Sequence, residues 1–313
     1  MKKITISLLV FVTTIAIPYA QSTMDTVQLN IENGFIEGTL IVADQAESTP
    51  IVVIIAGSGP TDRNGNNPAM VNNSLKMLAE GLAENGISSL RYDKRGIGNS
   101  KVEGLNELDL RFEDYIGDVT GWIEMLDADN RFSEVMVAGH SEGALIGMIA
   151  TQGSKAKKFI SMAGGGSSAP DILREQFKAQ PEEFQNQAYP ILDSLEQGML
   201  VKEVPFYMAS LFRPSVQPYL ISWFKYDPCK EVVKLKVPVL ILQGTTDIQV
   251  AVSEAEKLHQ ASKQSELHII EGMNHILKNA EIERAKNIAT YTNPDLPINE
   301  AFLHHMVNFI KTK

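Results

Sequence analysis

Two periods alternate along the chain: short aliphatic or alternating runs of strand character, and longer stretches in which apolar residues recur every three or four positions. Residues 26–42 carry two alternating segments around Glu32-Asn33-Gly34, and Asn-Gly between such runs predicts an antiparallel hairpin. Residues 51–55 are continuously aliphatic and end in Ala56-Gly57-Ser58-Gly59-Pro60, which predicts a strand buried on both faces and then a glycine-rich loop. Beyond it the spacing predicts a helix over 70–84 closed by Asn85-Gly86, a strand over 87–92, a helix over 112–126, and strands over 134–138 and 157–162. Residues 237–242 and 267–270 read as further strands, 253–261 and 299–310 as helices. Such alternation predicts an α/β fold with a mostly parallel sheet and helices on both faces.

The pattern breaks between Gly165 and Lys236, a stretch that holds seven of the fourteen prolines and ten of the twenty-two aromatic residues. A structureless loop of that length is rare in a compact domain. Residues 165–236 are therefore expected to form a helical cap insertion, with 171–184 as one amphipathic segment, on a core made of 21–164 and 237–313. Its aromatics, among them Phe206, Tyr207, Phe212, Tyr219, Trp223, Phe224 and Tyr226, have two readings: an apolar wall over a site, or the insertion's own small core.

Residues 1–20, with Lys2 and Lys3, an apolar run over 4–17 and Ala20, have the make-up of a secretory signal peptide and are too short to span a bilayer. The mature chain is accordingly expected to begin near Gln21 and to be exported, periplasmic or secreted. The formal net charge is −10, and −12 once Lys2 and Lys3 are removed, which argues against nucleic acid or an anionic membrane as partner. Cys229 is the only cysteine, so no intrachain disulfide is available, and it reads as a small buried hydrophobe.

Chemistry enters at Gly139-His140-Ser141-Glu142-Gly143, where a β-branched run meets Gly-x-Ser-x-Gly and then a helix-prone segment. That context predicts a sharp strand-to-helix turn with Ser141 exposed at its apex, flanked by glycines small enough to let neighbouring backbone pass. The bland reading is a serine that merely caps the helix. A serine hydroxyl needs a base and a group that fixes the base's tautomer. Of the six histidines, His259, His268, His304 and His305 fall inside predicted elements and His140 inside the elbow; only His275 lies in a loop just beyond the last strand of a parallel sheet, where such sheets place their sites. Asp247, in the loop after the preceding strand, is the candidate orienting acid, with Asp227, Glu254 and Glu271 as fallbacks. The order Ser141, Asp247, His275 is that of α/β-hydrolases. An oxyanion needs two donors, assigned to the backbone N–H of Glu142 and of Ser58, with Gly59 as the near alternative. Arg63, Asp93 and Arg95 are tempting substrate contacts, but loop charges more often tie loops together. The pair Gly96 and Gly98 lacks the third glycine and the placement of a dinucleotide fingerprint.

The elbow, Asp247 and His275, together with Gly57-Ser58-Gly59-Pro60-Thr61-Asp62-Arg63 and Arg91-Tyr92-Asp93-Lys94-Arg95-Gly96, resemble the α/β-hydrolase superfamily, and within it exported bacterial serine esterases. The likeness runs from about Thr26 to Lys313 and weakens across the insertion. It implies an eight-stranded, mostly parallel sheet, a cap between the sixth and seventh strands, and hydrolysis of a small ester or short peptide-like substrate without metal or organic cofactor. Many members carry His-Gly before the oxyanion residue where this chain has Ala56-Gly57. The leading expectation is a serine carboxylesterase. An aminopeptidase or amidase with the same triad is the main rival, for which Glu142, Glu203 or Asp227 would have to grip a free amine. A non-catalytic binding module on a hydrolase scaffold is the reading from another class.

Overall fold

The computed structural model describes residues 22–44 and 48–312; the expected signal peptide lies outside them. The chain opens with the hairpin β1 (Thr23–Ile31) and β2 (Gly34–Val42), which pair antiparallel around Asn33, itself at φ 62°. It continues through β3 (Thr49–Ile55), α1 (Ser74–Glu84), β4 (Ser88–Tyr92), β5 (Lys101–Val102), α2 (Phe112–Asp127), β6 (Phe132–His140), α3 (Glu142–Thr151) and β7 (Lys158–Met162). Five helices follow before the sheet resumes: α4 (Ala169–Phe177), α5 (Glu182–Glu196), α6 (Ala209–Phe212), α7 (Gln217–Trp223) and α8 (Pro228–Val232). The chain ends with β8 (Val239–Gly244), α9 (Val252–Ala261), β9 (Glu266–Ile270), α10 (Arg284–Ala289) and α11 (Glu300–Lys311).

The strands lie in the order β1-β2-β4-β3-β6-β7-β8-β9, with β1, β2 and β4 joined antiparallel and β4, β3, β6, β7, β8 and β9 parallel. Eight strands thus form the main path, and the ninth, β5, is a two-residue edge that pairs with the start of β2. The central strands read as unbroken apolar runs because both sheet faces are covered. Ile51, Val53 and Ile55 of β3 pack on one face with Trp122, Ile123 and Val137; Val52 and Ile54 pack on the other with Leu78, Leu82 and Met306. All five β3 side chains are at most 1% exposed. At about 1.5–3 kcal/mol per buried aliphatic side chain, this one strand is a major anchor of the core.

Two expectations need correction. The segment over 171–184 is not one helix: α4 stops at Phe177 and α5 starts after Pro181, whose φ of −53° and ψ of 148° leave the helical region. A proline has no N–H for the preceding turn and disfavours helix in the residue before it, so the amphipathic period runs across a break. The helix expected from residue 70 begins at Ser74, because Asn73 is left-handed at φ 56°. The aromatics between β7 and β8 divide between the two readings. Phe177, Phe212 and Tyr219 are buried in the cluster that covers one sheet face, whereas Phe206 is 95% exposed. Among the described residues, no helix is long and apolar enough to cross a membrane.

Candidate active site

β6 ends at His140 and α3 begins at Glu142, so Ser141 is the whole turn between them. Its backbone sits at φ 55°, ψ −121°, a conformation that costs a non-glycine residue about 1–3 kcal/mol and persists only where the surroundings over-determine it. What determines it is close packing. A Cβ on Gly139 would lie 2.1 Å from Gly143 O, and one on Gly143 would lie 2.6 Å from Ala56 O and 2.7 Å from Ile55 O. The elbow is thereby wedged against the end of β3, and the loop after β3 is brought beside Ser141. Glu142 is the first residue of α3, and N–H groups of a first helical turn have no acceptor within the helix. Glu142 N–H is thus free to point at an anion at the helix's positive end.

The loop after β9 carries His275, and the loop after β8 carries Asp247. His275 Nδ1 lies 2.8 Å from Asp247 Oδ2, with the two side chains 5% and 0% exposed. Asp247 also accepts from Gln249 N at 2.8 Å, Val250 N at 2.9 Å and Gln243 Nε2 at 3.0 Å. Burial alone would raise its pKa; the neighbouring His275 and the backbone donors overcome that and hold it below the usual aspartate value. An ionised carboxylate at this position accepts Nδ1–H, which fixes the tautomer and leaves Nε2 of His275 with a free lone pair. The histidine loop is strapped from several sides: Thr246 N donates to Met273 O at 3.1 Å, Asn274 Nδ2 to Thr290 Oγ1 at 2.8 Å, and Lys278 Nζ to Asn72 O at 2.5 Å and Asn293 O at 2.8 Å.

His140 is a second histidine of the site, and its role was not legible in the sequence. Its Nε2–H donates to His275 O at 2.7 Å and the two rings lie 4.8 Å apart, so the residue before Ser141 braces the backbone that presents His275. Burial is the first cause that pushes the His140 pKa down to about 3, with His275 adding to it. An unfolded histidine titrates near about 6.5, so as pH falls below that value the unfolded chain takes a proton that the native state refuses. Stability that is complete above about pH 6.5 is then lost at up to about 1.4 kcal/mol per pH unit on the way to about pH 3. The urea midpoint is expected to fall between pH 7 and pH 5, and His140→Gln, which keeps a donor for His275 O, is expected to flatten that slope. An equally steep slope in the variant would rule His140 out as its source.

Ser58, Ser141 and Glu142 share the wall of one cavity of about 100 Å³ with apolar residues that include Leu145, Ile172, Leu173, Trp223, Pro228 and Val250 and with the polar Ser167, Gln176 and Gln249. Trp223, at the end of α7, is the aromatic that reaches it; Tyr219 stands behind the wall, its hydroxyl donating to Glu142 Oε1 at 2.7 Å. The other acids considered are engaged elsewhere or at the surface. Glu254 accepts from Gly166 N at 3.1 Å and Ser167 N at 2.6 Å, Asp227 caps α8 through Cys229 N at 3.0 Å, and Glu271 is exposed. The loop charges tie loops together: Arg63 binds Asp93 at 2.6 Å and Glu37 at 2.8 Å, and Arg95 binds Asp118 at 2.7 Å. Cys229 Sγ donates to Gly166 O at 3.0 Å, and burial raises its pKa. Among the described residues, no group of three or more His, Cys, Asp or Glu side chains is disposed to hold a metal ion.

Comparison with known proteins bears on the fold. The model of the family described as "Serine aminopeptidase, S33" matches residues 71–210. The esterase EstD of Thermotoga maritima is 26% identical over 258 residues, which cover 78% of this chain and 58% of the relative, so the chain spans little more than half of that protein. Est1E of Butyrivibrio proteoclasticus, solved with ferulic acid, superposes with a TM-score of 0.61 at 17% identity over 91% of this chain and 100% of its own. An enol-lactonase from Burkholderia xenovorans superposes with a TM-score of 0.56 at 20% identity, again over 91% of this chain and 100% of its own. The strand order and the strained serine between β6 and α3 agree with these likenesses, and the chain has the α/β-hydrolase fold.

Proposed function

We propose that the protein hydrolyses small carboxylic esters through an acyl-serine, with Ser141 as nucleophile, His275 as base and Asp247 as its orienting acid. The observation that carries this reading is the buried His275–Asp247 pair, 2.8 Å apart, braced against the residue that precedes a serine at φ 55°. In the proposed cycle Ser141 Oγ attacks the ester carbonyl carbon while His275 Nε2 takes its proton. The carbonyl oxygen becomes an oxyanion held by the N–H groups of Ser58 and Glu142. Collapse breaks the bond to the alkoxy group, which leaves as the alcohol with the proton from His275. Water then repeats the two steps on the acyl-enzyme and releases the acid.

The matched family's description raises aminopeptidase activity as the competing reading. A free α-amine requires an unpaired acid near Ser141, and Glu142 is already engaged with Tyr219 and, at 3.9 Å, with Lys94. Among the described residues that line the cavity Glu142 is the sole acid, and Ser167, Gln176 and Gln249 are neutral, so an ammonium there would lack a free carboxylate. We therefore expect kcat/KM for p-nitrophenyl propanoate to exceed that for alanine p-nitroanilide by at least about 100-fold. The opposite preference would turn the assignment to peptide bonds. Residues 1–20 support export to the periplasm or medium, which fractionation of cells carrying the full chain would test.

A further inference from the structure

Lys94 is a buried cation that the reaction as proposed does not use. It follows β4, is 2% exposed, and places its Nζ 2.6 Å from Gly57 O, 2.9 Å from Gly59 O and 3.9 Å from Glu142 Oε2. An ammonium out of water is costly unless its donors are met. Here two donors go to carbonyls of one short loop, the one that carries Ser58, and the countercharge belongs to the residue after Ser141. The same Glu142 carboxylate accepts from Tyr219, so a single chain of contacts runs from the cap through the elbow to the loop after β3.

In a planar trans peptide the C=O of one residue and the N–H of the next point in opposite directions. A Gly57 carbonyl drawn onto the ammonium therefore turns Ser58 N–H to the other side of the loop. Ser58 lines the cavity with Ser141 and Glu142, which is where the oxyanion of the proposed reaction would form. Without the ammonium, Gly57 O and Gly59 O would lose their shared partner and the peptide plane would be free to turn. A donor is useful to an oxyanion only if its direction is set beforehand.

We propose that Lys94 is the positioning residue of the oxyanion hole, its ammonium pinning Gly57 O and Gly59 O so that Ser58 N–H stays aimed at the oxyanion. This rests on the serine-ester reading above. Glu142 has a double part in it: its N–H is the second donor, and its carboxylate is the countercharge of the lysine that orients the first.

The test compares an oxo ester with the matching thiono ester, whose sulfur is a poor hydrogen-bond acceptor and profits little from an oxyanion hole. In Lys94→Met, kcat for the oxo ester is expected to fall by about 10–100-fold with KM within about threefold, and the oxo-to-thiono rate ratio by a similar factor. Lys94→Gln, which keeps a donor for one carbonyl, is expected to lie between Lys94→Met and the natural chain. Because the ratio is taken on one sample, loss of folded protein scales both rates and leaves it unchanged. A folded Lys94→Met or Lys94→Gln with the natural ratio overturns the proposal, and so does failure of both variants to fold, which would make Lys94 a stability element alone. The oxo-ester rate of the natural chain, and its loss in Ser141→Ala, report separately on the hydrolase reading itself.

Discussion

Ser141→Ala is expected to lower kcat for a p-nitrophenyl ester by about 10⁴-fold or more while leaving the circular dichroism spectrum and thermal transition in place. The residual rate would come from the cavity and the two N–H donors, which the substitution leaves alone. Stability is not expected to fall, because the serine at φ 55° is held by its neighbours rather than holding them. Glycine at 141 would remove that strain, so Ser141→Gly is expected to be equally inactive yet more stable than Ser141→Ala by about 1 kcal/mol. This pair of variants separates the cost of the turn from the use made of it. A rate for Ser141→Ala within tenfold of the natural chain would remove Ser141 from the chemistry.

The second large effect is expected at Asp247. Asp247→Asn keeps an oxygen for Gln249 N and Val250 N but turns an N–H toward His275 Nδ1, where the carboxylate now accepts. The imidazole is then driven to carry its proton on Nε2, which faces it away from base function. A fall in kcat of about 10³–10⁴-fold is expected, with folding intact. The dependence is steep because the carboxylate of Asp247 is shielded from solvent. Full activity in a folded Asp247→Asn variant would move the orienting role to another acid, and Glu254 and Asp227 would need to leave contacts they already make.

Much of this site was legible in the sequence because each part obeys a local rule. Gly139 and Gly143 announce the elbow by steric need alone, and the contacts they avoid, 2.1 Å and 2.6 Å, are backbone contacts that any side chain would violate. His275 and Asp247 were reachable because residues just beyond parallel strands gather at one edge of the sheet. The period-two split of β3 between two cores was likewise implicit in its unbroken aliphatic run. What the sequence hid depends on contacts between distant segments. Nothing in Arg91-Tyr92-Asp93-Lys94-Arg95 says that Lys94 turns to Gly57 while Arg95 turns to Asp118. The bond from His140 to His275 O spans 135 positions, and that from Tyr219 to Glu142 spans 77. The helices between β7 and β8 are the other gap: Pro181 interrupts an amphipathic period that continues on both sides, so the period alone reads as one helix.

The most direct measurement is peptide mapping of the purified chain after reaction with an alkyl fluorophosphonate. An activated serine displaces fluoride, its proton passing to the base, and forms a stable phosphonyl ester whose phosphoryl oxygen, present in the reagent, takes the place of the oxyanion. One adduct per molecule on the peptide containing Ser141 is expected, with loss of ester hydrolysis in step and no adduct in Ser141→Ala. A folded chain that hydrolyses esters but carries the label on another residue, or no label on Ser141, would contradict the account.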